Sequence, residues 1–168
     1  MFRRFRFPLA LKNGSTYFLV FALLGALGCF QNPQQAKKRY FESGQGYFAQ
    51  KKYHEAVIQF KNALQADPNY VEAHYQLGLA YLGLARYREA YQEFVNTTNL
   101  DNNHLNAHLN QGNMLLLSQR FDEAKAKAEL TLEKDPQNIK GLILLGNSYA
   151  GLKDLDRAIE ELQRAVEA

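Results

Sequence analysis

From residue 37 onward, apolar residues recur every three or four positions in stretches of about fourteen, separated by short polar breaks. In the segment VEAHYQLGLAYLGLARYREAYQEFVNTTNLDNN, the residues Tyr75, Leu79 and Leu82 mark one helix. Ala90, Phe94 and Thr97 mark a second, with a turn near Ala85–Tyr87 between them. The same pattern predicts helix pairs at 37–50/53–66, 71–84/87–100, 105–118/121–134 and 139–152/155–167. The prolines at Asp67-Pro68-Asn69 and Asp135-Pro136 close two of the second helices, because proline lacks the N–H that a continuing helix needs. The pattern predicts an all-α fold.

The helix pairs are copies of one another. Gly44, Gly78, Gly112 and Gly146 stand 34 residues apart, and so do Ala56, Ala90, Ala124 and Ala158. Tyr47, Tyr81, Leu115 and Tyr149 follow the same interval, as do Asp67, Asp101 and Asp135. Several columns in phase, with no insertion over more than a hundred residues, establish a four-fold repeat. A glycine inside a helix costs ~1 kcal/mol against alanine. Its recurrence on the first helix of every pair, with alanine on the second, predicts two helices in close approach.

Composition narrows the class. Hydrophobic residues make up 46% of the 168 and charged residues 22%, a globular profile. The formal net charge is +3, but Arg3, Arg4, Arg6 and Lys12 supply four of the 20 basic groups and no acidic group precedes Cys29. Residues 30–168 therefore carry 16 basic and 17 acidic groups, a net of −1. Without a positive field, nucleic-acid binding has lost its main driving force. A single cysteine excludes an internal disulfide and a paired-cysteine zinc site.

The basic start, MFRRFRFPLALK, is followed by an uncharged apolar run, YFLVFALLGALG, that ends at Cys29. This is the layout of a secretory signal. Counted generously, from Ser15 to Phe30, the run has 16 residues, short of the roughly 20 that a spanning helix prefers. Gly25-Ala26-Leu27-Gly28-Cys29 resembles the lipobox of bacterial lipoproteins, with Ala26 and Leu27 in the reverse of the usual order. That resemblance implies acylation at Cys29. An uncleaved anchor is the alternative. The expected organisation is a targeting segment at 1–28, a lipidated cysteine and tether at 29–36, and repeat units at 37–70, 71–104, 105–138 and 139–168. The last helix keeps Leu155, Ala158, Ile159, Leu162, Ala165 and Val166 at internal-repeat spacing, so further repeats or self-association are expected at that end. The run Lys37-Lys38-Arg39 is either a solvated first turn or a contact for anionic headgroups.

The repeat period and its residues resemble the tetratricopeptide repeat over residues 37–168. Gly44, Tyr47, Ala56, Phe60, Ala63 and Pro68 fall on the signature columns in the first unit, and Leu77, Gly78, Tyr81, Ala90 and Phe94 in the second. Gly112, Ala124 and Pro136 do so in the third, where Ala128 replaces an aromatic. Leu145, Gly146, Tyr149, Ala158 and Ala165 do so in the fourth. The tryptophan column holds Tyr40, His74, His108 and Leu142. The resemblance implies a right-handed solenoid whose first helices line a concave groove that binds a peptide or protein. It places the second, fifth, ninth and twelfth positions of each first helix in the groove, with Phe41, Tyr75, Leu109 and Ile143 in the fifth column, Gln45, Leu79, Asn113 and Asn147 in the ninth, and Phe48, Leu82 and Leu116 in the twelfth. Lys and Arg, which grip terminal carboxylates in chaperone-binding relatives, are missing from the fifth and ninth. The floor is apolar and partly aromatic, with amides that suit a peptide backbone.

Candidate chemistry is sparse. His104 and His108 are four apart, but HLNAH lacks the glutamate of HExxH and a third ligand, so packing or surface roles are expected. There is no GxSxG and no glycine-rich phosphate loop. The expected protein is a non-enzyme without cofactor or metal: a membrane-tethered scaffold in the bacterial cell envelope, its repeats outside the cytoplasm. Such lipoproteins resemble envelope-assembly components, including pilus-assembly and exosortase- or exopolysaccharide-associated groups. The alternative is an inner-membrane-anchored subunit that regulates or assembles an enzyme complex.

Overall fold

The structure, a computed structural model, describes residues 33–168. The targeting segment and Cys29 lie outside the described residues. Among those described are eight helices: α1 Pro33–Ala49, α2 Tyr53–Ala66, α3 Val71–Gly83, α4 Tyr87–Leu100, α5 Leu105–Leu117, α6 Phe121–Lys134, α7 Ile139–Gly151 and α8 Leu155–Glu167. α1 opens four residues before the expected boundary, so part of the stretch read as a tether is helical. A proline is compatible with that start, since the N–H it lacks would have no intrahelical partner in the first turn. The other boundaries fall within one residue of those expected. Each helix packs on its partner, and the second helix of each of the first three units packs on the next unit's first helix, giving an all-α solenoid.

Glycine sets the spacing inside each pair. A Cβ on Gly44 would stand 2.6 Å from the Phe60 ring, and one on Gly78 would stand 2.7 Å from the Phe94 ring. Both phenylalanines are fully buried, as are Ala56, Ala90 and Ala124. Gly146 receives Leu162 in the same manner, at 2.8 Å. In the third unit Ala128 is too short to reach across. The space over Gly112 is taken by Leu144 of the following unit, 2.3 Å from the position a Cβ would occupy. Side-chain insertion by a large neighbour, rather than contact with the alanine column, is what the glycines permit.

The turn between paired helices also repeats. Lys51, Ala85, Gln119 and Lys153 have φ of 59°, 55°, 57° and 65°. The left-handed residue folds the chain back so that the next N–H reaches a carbonyl five residues earlier: Lys52 to Tyr47, Arg86 to Tyr81, Arg120 to Leu115 and Asp154 to Tyr149, at 2.9–3.0 Å. The Arg86 and Arg157 guanidiniums lie over the Tyr81 and Tyr149 rings, at 4.7 and 4.5 Å.

The core is divided. One buried cluster holds Phe60, Leu77, Tyr81 and Phe94 of the first two units, and another holds Leu109, Leu115, Leu144 and Tyr149 of the last two. The joint between them contains a buried amide: Gln111 Nε2 donates to the Phe94 carbonyl (2.9 Å) and to Thr98 Oγ1 (2.7 Å). Near the start, Lys37 Nζ binds Asp67 at 2.5 Å and lies 4.8 Å from the Tyr70 ring centroid. Lys37 is thereby withdrawn from the basic run. Its hydrogen bond, with one from the Asn69 backbone N–H, holds the Asp67 carboxyl below its ordinary value.

Gly78→Ala is expected to cost about 1–3 kcal/mol, because the Phe94 ring is enclosed and cannot yield. Gly46→Ala, where a Cβ meets nothing within 4 Å, should instead stabilise by up to ~1 kcal/mol. Urea unfolding of the two variants checks both signs.

Candidate functional site

The first helices of the last three units place their side chains along a shared face. Between α3, α5 and α7 lies a cleft of about 380 Å3. Tyr75 and Leu79 come from α3, Asn106, Leu109, Asn110 and Asn113 from α5, and Lys140 and Ile143 from α7. The spacing of roughly one helical turn between Asn106, Asn110 and Asn113 sets three amides along one side.

The Tyr75 ring is fixed from beneath and beside. Its centroid is 5.8 Å from Phe94 and 4.4 Å from His104, and the Asn110 amide approaches its hydroxyl at 3.5 Å. Burial raises the phenol above its ordinary pKa despite the Asn110 contact, so it stays a neutral donor and acceptor. Ile143 faces it at 41% exposure, whereas Leu109 is only 4% exposed. Leu109 therefore supports the floor, and Ile143 carries the apolar contact surface. Asn113 is exposed, as is Lys140, the cation of the cleft.

Five of the residues expected in the groove meet in this cleft: Tyr75, Leu79, Leu109, Asn113 and Ile143. The others do not line it. Phe41 packs between Phe60 and Tyr70, at 5.8 and 4.9 Å, and Phe48 lies edge-on to Tyr53 at 5.4 Å. Leu82 and Leu116 are half-buried against the two core clusters, while Gln45 and Asn147 are exposed. Asn106, Asn110 and Lys140 were missed by the sequence reading. Asn106 and Lys140 occupy the second position of their helices, a column that the family resemblance had placed in the groove without its residues being named.

The histidines have structural tasks. His104 Nδ1 accepts from the Ala107 N–H at 3.1 Å and caps α5. His74 binds Glu93 through Nδ1 at 2.7 Å and the Pro68 carbonyl through Nε2 at 3.0 Å. Burial alone would lower its pKa, but these two acceptors outweigh burial and raise it. His108, one repeat later, is 2% exposed, and its Nε2 lies 3.1 Å from the Asn102 carbonyl. Its Nδ1 has no hydrogen-bond partner, and burial lowers its pKa. Among the described residues no group of three or more His, Cys, Asp or Glu side chains could hold a metal ion, and no helix is long and apolar enough to cross a membrane.

The TPR repeat model matches residues 44–84, and the tetratricopeptide repeat model matches residues 75–139 and 109–168. Among solved structures, the chain is similar to MamA of Desulfovibrio magneticus RS-1, with 28% identity over 79% of this chain and 75% of that one and a TM-score of 0.74. It is similar to YrrB, described as a TPR protein with an unusual peptide-binding site, with 25% identity over 91% and 79% and a TM-score of 0.72. PilF of Pseudomonas aeruginosa shares the fold, with 20% identity over 82% and 63% and a TM-score of 0.69. No curated protein matches the chain.

The two related histidines predict opposite pH responses. His74, with its pKa raised above 6.5, adds stability that is full below that value and fades as pH rises through the folded-state pKa. His108, with its pKa lowered, must gain a proton on unfolding in acid, so it removes stability as pH falls below 6.5. His108→Leu, which installs the residue found at Leu142, should flatten the fall in thermal stability between pH 7 and 5. His74→Gln should steepen it. Thermal melts at the two pH values read both slopes.

Proposed function

The chain belongs to the tetratricopeptide-repeat family, and on that premise we propose that its first-helix face holds an extended segment of a protein partner. Proteins of this family are protein–protein interaction scaffolds and typically non-enzymatic. The carrying observation is the cleft in which Tyr75 and Ile143 flank three asparagines beside Lys140. An apolar side chain of the partner would lie between Tyr75 and Ile143. Asparagine amides, each able to donate and accept, would pair with the partner's backbone. Lys140 would favour a carboxylate at one end, but a single lysine is a weaker grip than a paired basic clamp. The peptide-binding site attributed to YrrB supports the same class of ligand.

The second half of the proposal concerns placement. Cys29 would carry an acyl chain and tether the repeats to a membrane of the bacterial cell envelope, on the non-cytoplasmic side. The apolar run that stops at Cys29, too short for a comfortable span, supports this reading. With α1 opening at Pro33, the tether would shrink to a few residues and the repeats would stand near the lipid surface.

Ile143→Asp and Asn113→Ala alter exposed groove residues and should leave helical circular dichroism intact. Affinity capture of the intact tethered protein from its native envelope should lose its partner by tenfold or more with the double variant. Undiminished capture would place binding elsewhere. Cys29→Ser should abolish incorporation of a labelled lipid precursor and release the protein from the membrane fraction; unchanged membrane retention would favour the uncleaved anchor.

A further inference from the structure

One packing device appears at two joints of the solenoid and is missing from the joint between them. Where the first unit meets the second, Tyr53 at the start of α2 lies against Gly83 at the end of α3, and a Cβ there would fall 2.8 Å from the ring. Where the third meets the fourth, Phe121 lies against Gly151, with the corresponding distance 2.2 Å. The position 34 residues from both glycines is Leu117. A leucine side chain there leaves no bare backbone on which Tyr87 could seat. Tyr53 and Phe121 are half-buried, but Tyr87 is 54% exposed and Leu117 69%.

The unmade contact leaves a cleft of about 670 Å3 between the start of α4 and the end of α5, larger than the cleft on the first-helix face. Its size lies within the range of about 300–1,000 Å3 typical of ligand sites. Tyr87, Tyr91, Met114 and Leu117 form its walls, and Arg88 and Arg120 its basic edge. No carboxylate lines it. Arg120 is held by Glu123 through two hydrogen bonds of 2.5 Å, whereas Arg88 makes no hydrogen bond or salt bridge among the described residues. Tyrosine, methionine and arginine around one apolar hollow is the composition of an interface centre.

We propose that this cleft is a second docking site, separate from the first-helix face, for a partner segment that inserts an apolar side chain between Tyr87 and Leu117 and sets an adjacent carboxylate against Arg88. Charge selects this occupant. The chain's own N-terminal segment is apolar but carries Arg3, Arg4, Arg6 and Lys12 and no acid, so it would bring like charge to Arg88. An acidic flank would give the Arg88 guanidinium, whose charge otherwise meets only the neighbouring Glu89 through space, a hydrogen-bonded carboxylate, and the exposed Tyr87 and Leu117 surfaces would lose water on insertion.

The test uses the full chain in lipid nanodiscs and three sets of immobilised dodecapeptides. Each set has a central Leu-Phe pair, flanked by Glu, by Lys or by Ser. The Glu-flanked set should bind at least tenfold more tightly than the Lys-flanked set, and Arg88→Glu should reverse that order. Leu117→Gly, at the last residue of α5, recreates the seat present at Gly83 and Gly151 and should weaken Glu-flanked binding tenfold or more. Tyr87→Ser, at an exposed position outside the core, provides the same readout should Leu117→Gly lower helical content. Ile143→Asp removes only what the first-helix face holds, so in that variant the preference for Glu over Lys flanks, and its dependence on Leu117 and Tyr87, should persist. Equal binding of the three sets overturns the proposal, as does binding that survives both Leu117→Gly and Tyr87→Ser. Loss of the Glu preference with Ile143→Asp alone would assign the peptides to the first-helix face and also overturn it. Self-association abolished by Leu117→Gly, without peptide binding, would assign the cleft to a second copy of the chain and overturn it as well.

Discussion

A ring seated on a glycine governs this fold. Gly44 under Phe60 and Gly78 under Phe94 let two helices approach until no Cβ would fit between backbone and ring. That approach encloses the phenylalanines completely and buries the alanines beside them. The cost of a mid-helix glycine is offset by burying a full aromatic side chain, worth about 1.5–3 kcal/mol. The third unit alters the arrangement and keeps the principle. With Ala128 in the aromatic column, the hollow over Gly112 is filled from α7 by Leu144, so the third unit depends on the fourth for its own core.

This borrowing explains why the buried clusters divide after the second unit. The first two pairs are each closed by their own phenylalanine, and the last two share side chains across their boundary. The joint left between them combines a few apolar contacts, Ala107 in the first cluster and Tyr91 against the second, with the buried Gln111 amide bonded to Phe94 and Thr98. A buried amide constrains register, because any slip leaves its N–H unpaired in a dry site. The same joint carries the peptide-sized cleft on one side and the unmade Tyr87 contact on the other.

The fold was legible because its signals are periodic. A 34-residue interval in glycine, alanine and tyrosine fixes the pairing of helices, and proline and the polar turns fix their ends. The start of α1 was not legible, since Pro33 and the polar residues after it suit a tether and a first helical turn equally well. Site geometry was only partly legible. The fifth column of the first helices holds Phe41, Tyr75, Leu109 and Ile143, yet these range from buried to exposed, because exposure depends on the neighbouring unit rather than on the column. Phe41 is covered by Tyr70, and Leu109 sinks into the second cluster. Lys140 and Asn106 stand in the second groove column, but a single polar residue at a helix start resembles ordinary solvated surface, so the column alone did not single them out. The exchange of glycine for Leu117 is visible in the sequence, but its meaning rests on knowing that Tyr53 and Phe121 lie on the matching glycines.

The division of the core also sets how the molecule would respond to force. Pulled from its two ends, the array would not stretch evenly. Each half is held by apolar interlocking that resists separation over a broad surface, while the middle joint lacks the aromatic latch found on either side. Beside the small apolar contacts of Ala107 and Tyr91 it holds by polar ones, which act over short range and fail once parted by an ångström or two. The weakest link therefore lies at the centre of the described array, and two stiff arms would swing apart there before either unravels. In a single-molecule extension trace the first rupture would release a hinge opening of small length, followed later by two larger events, one for each half.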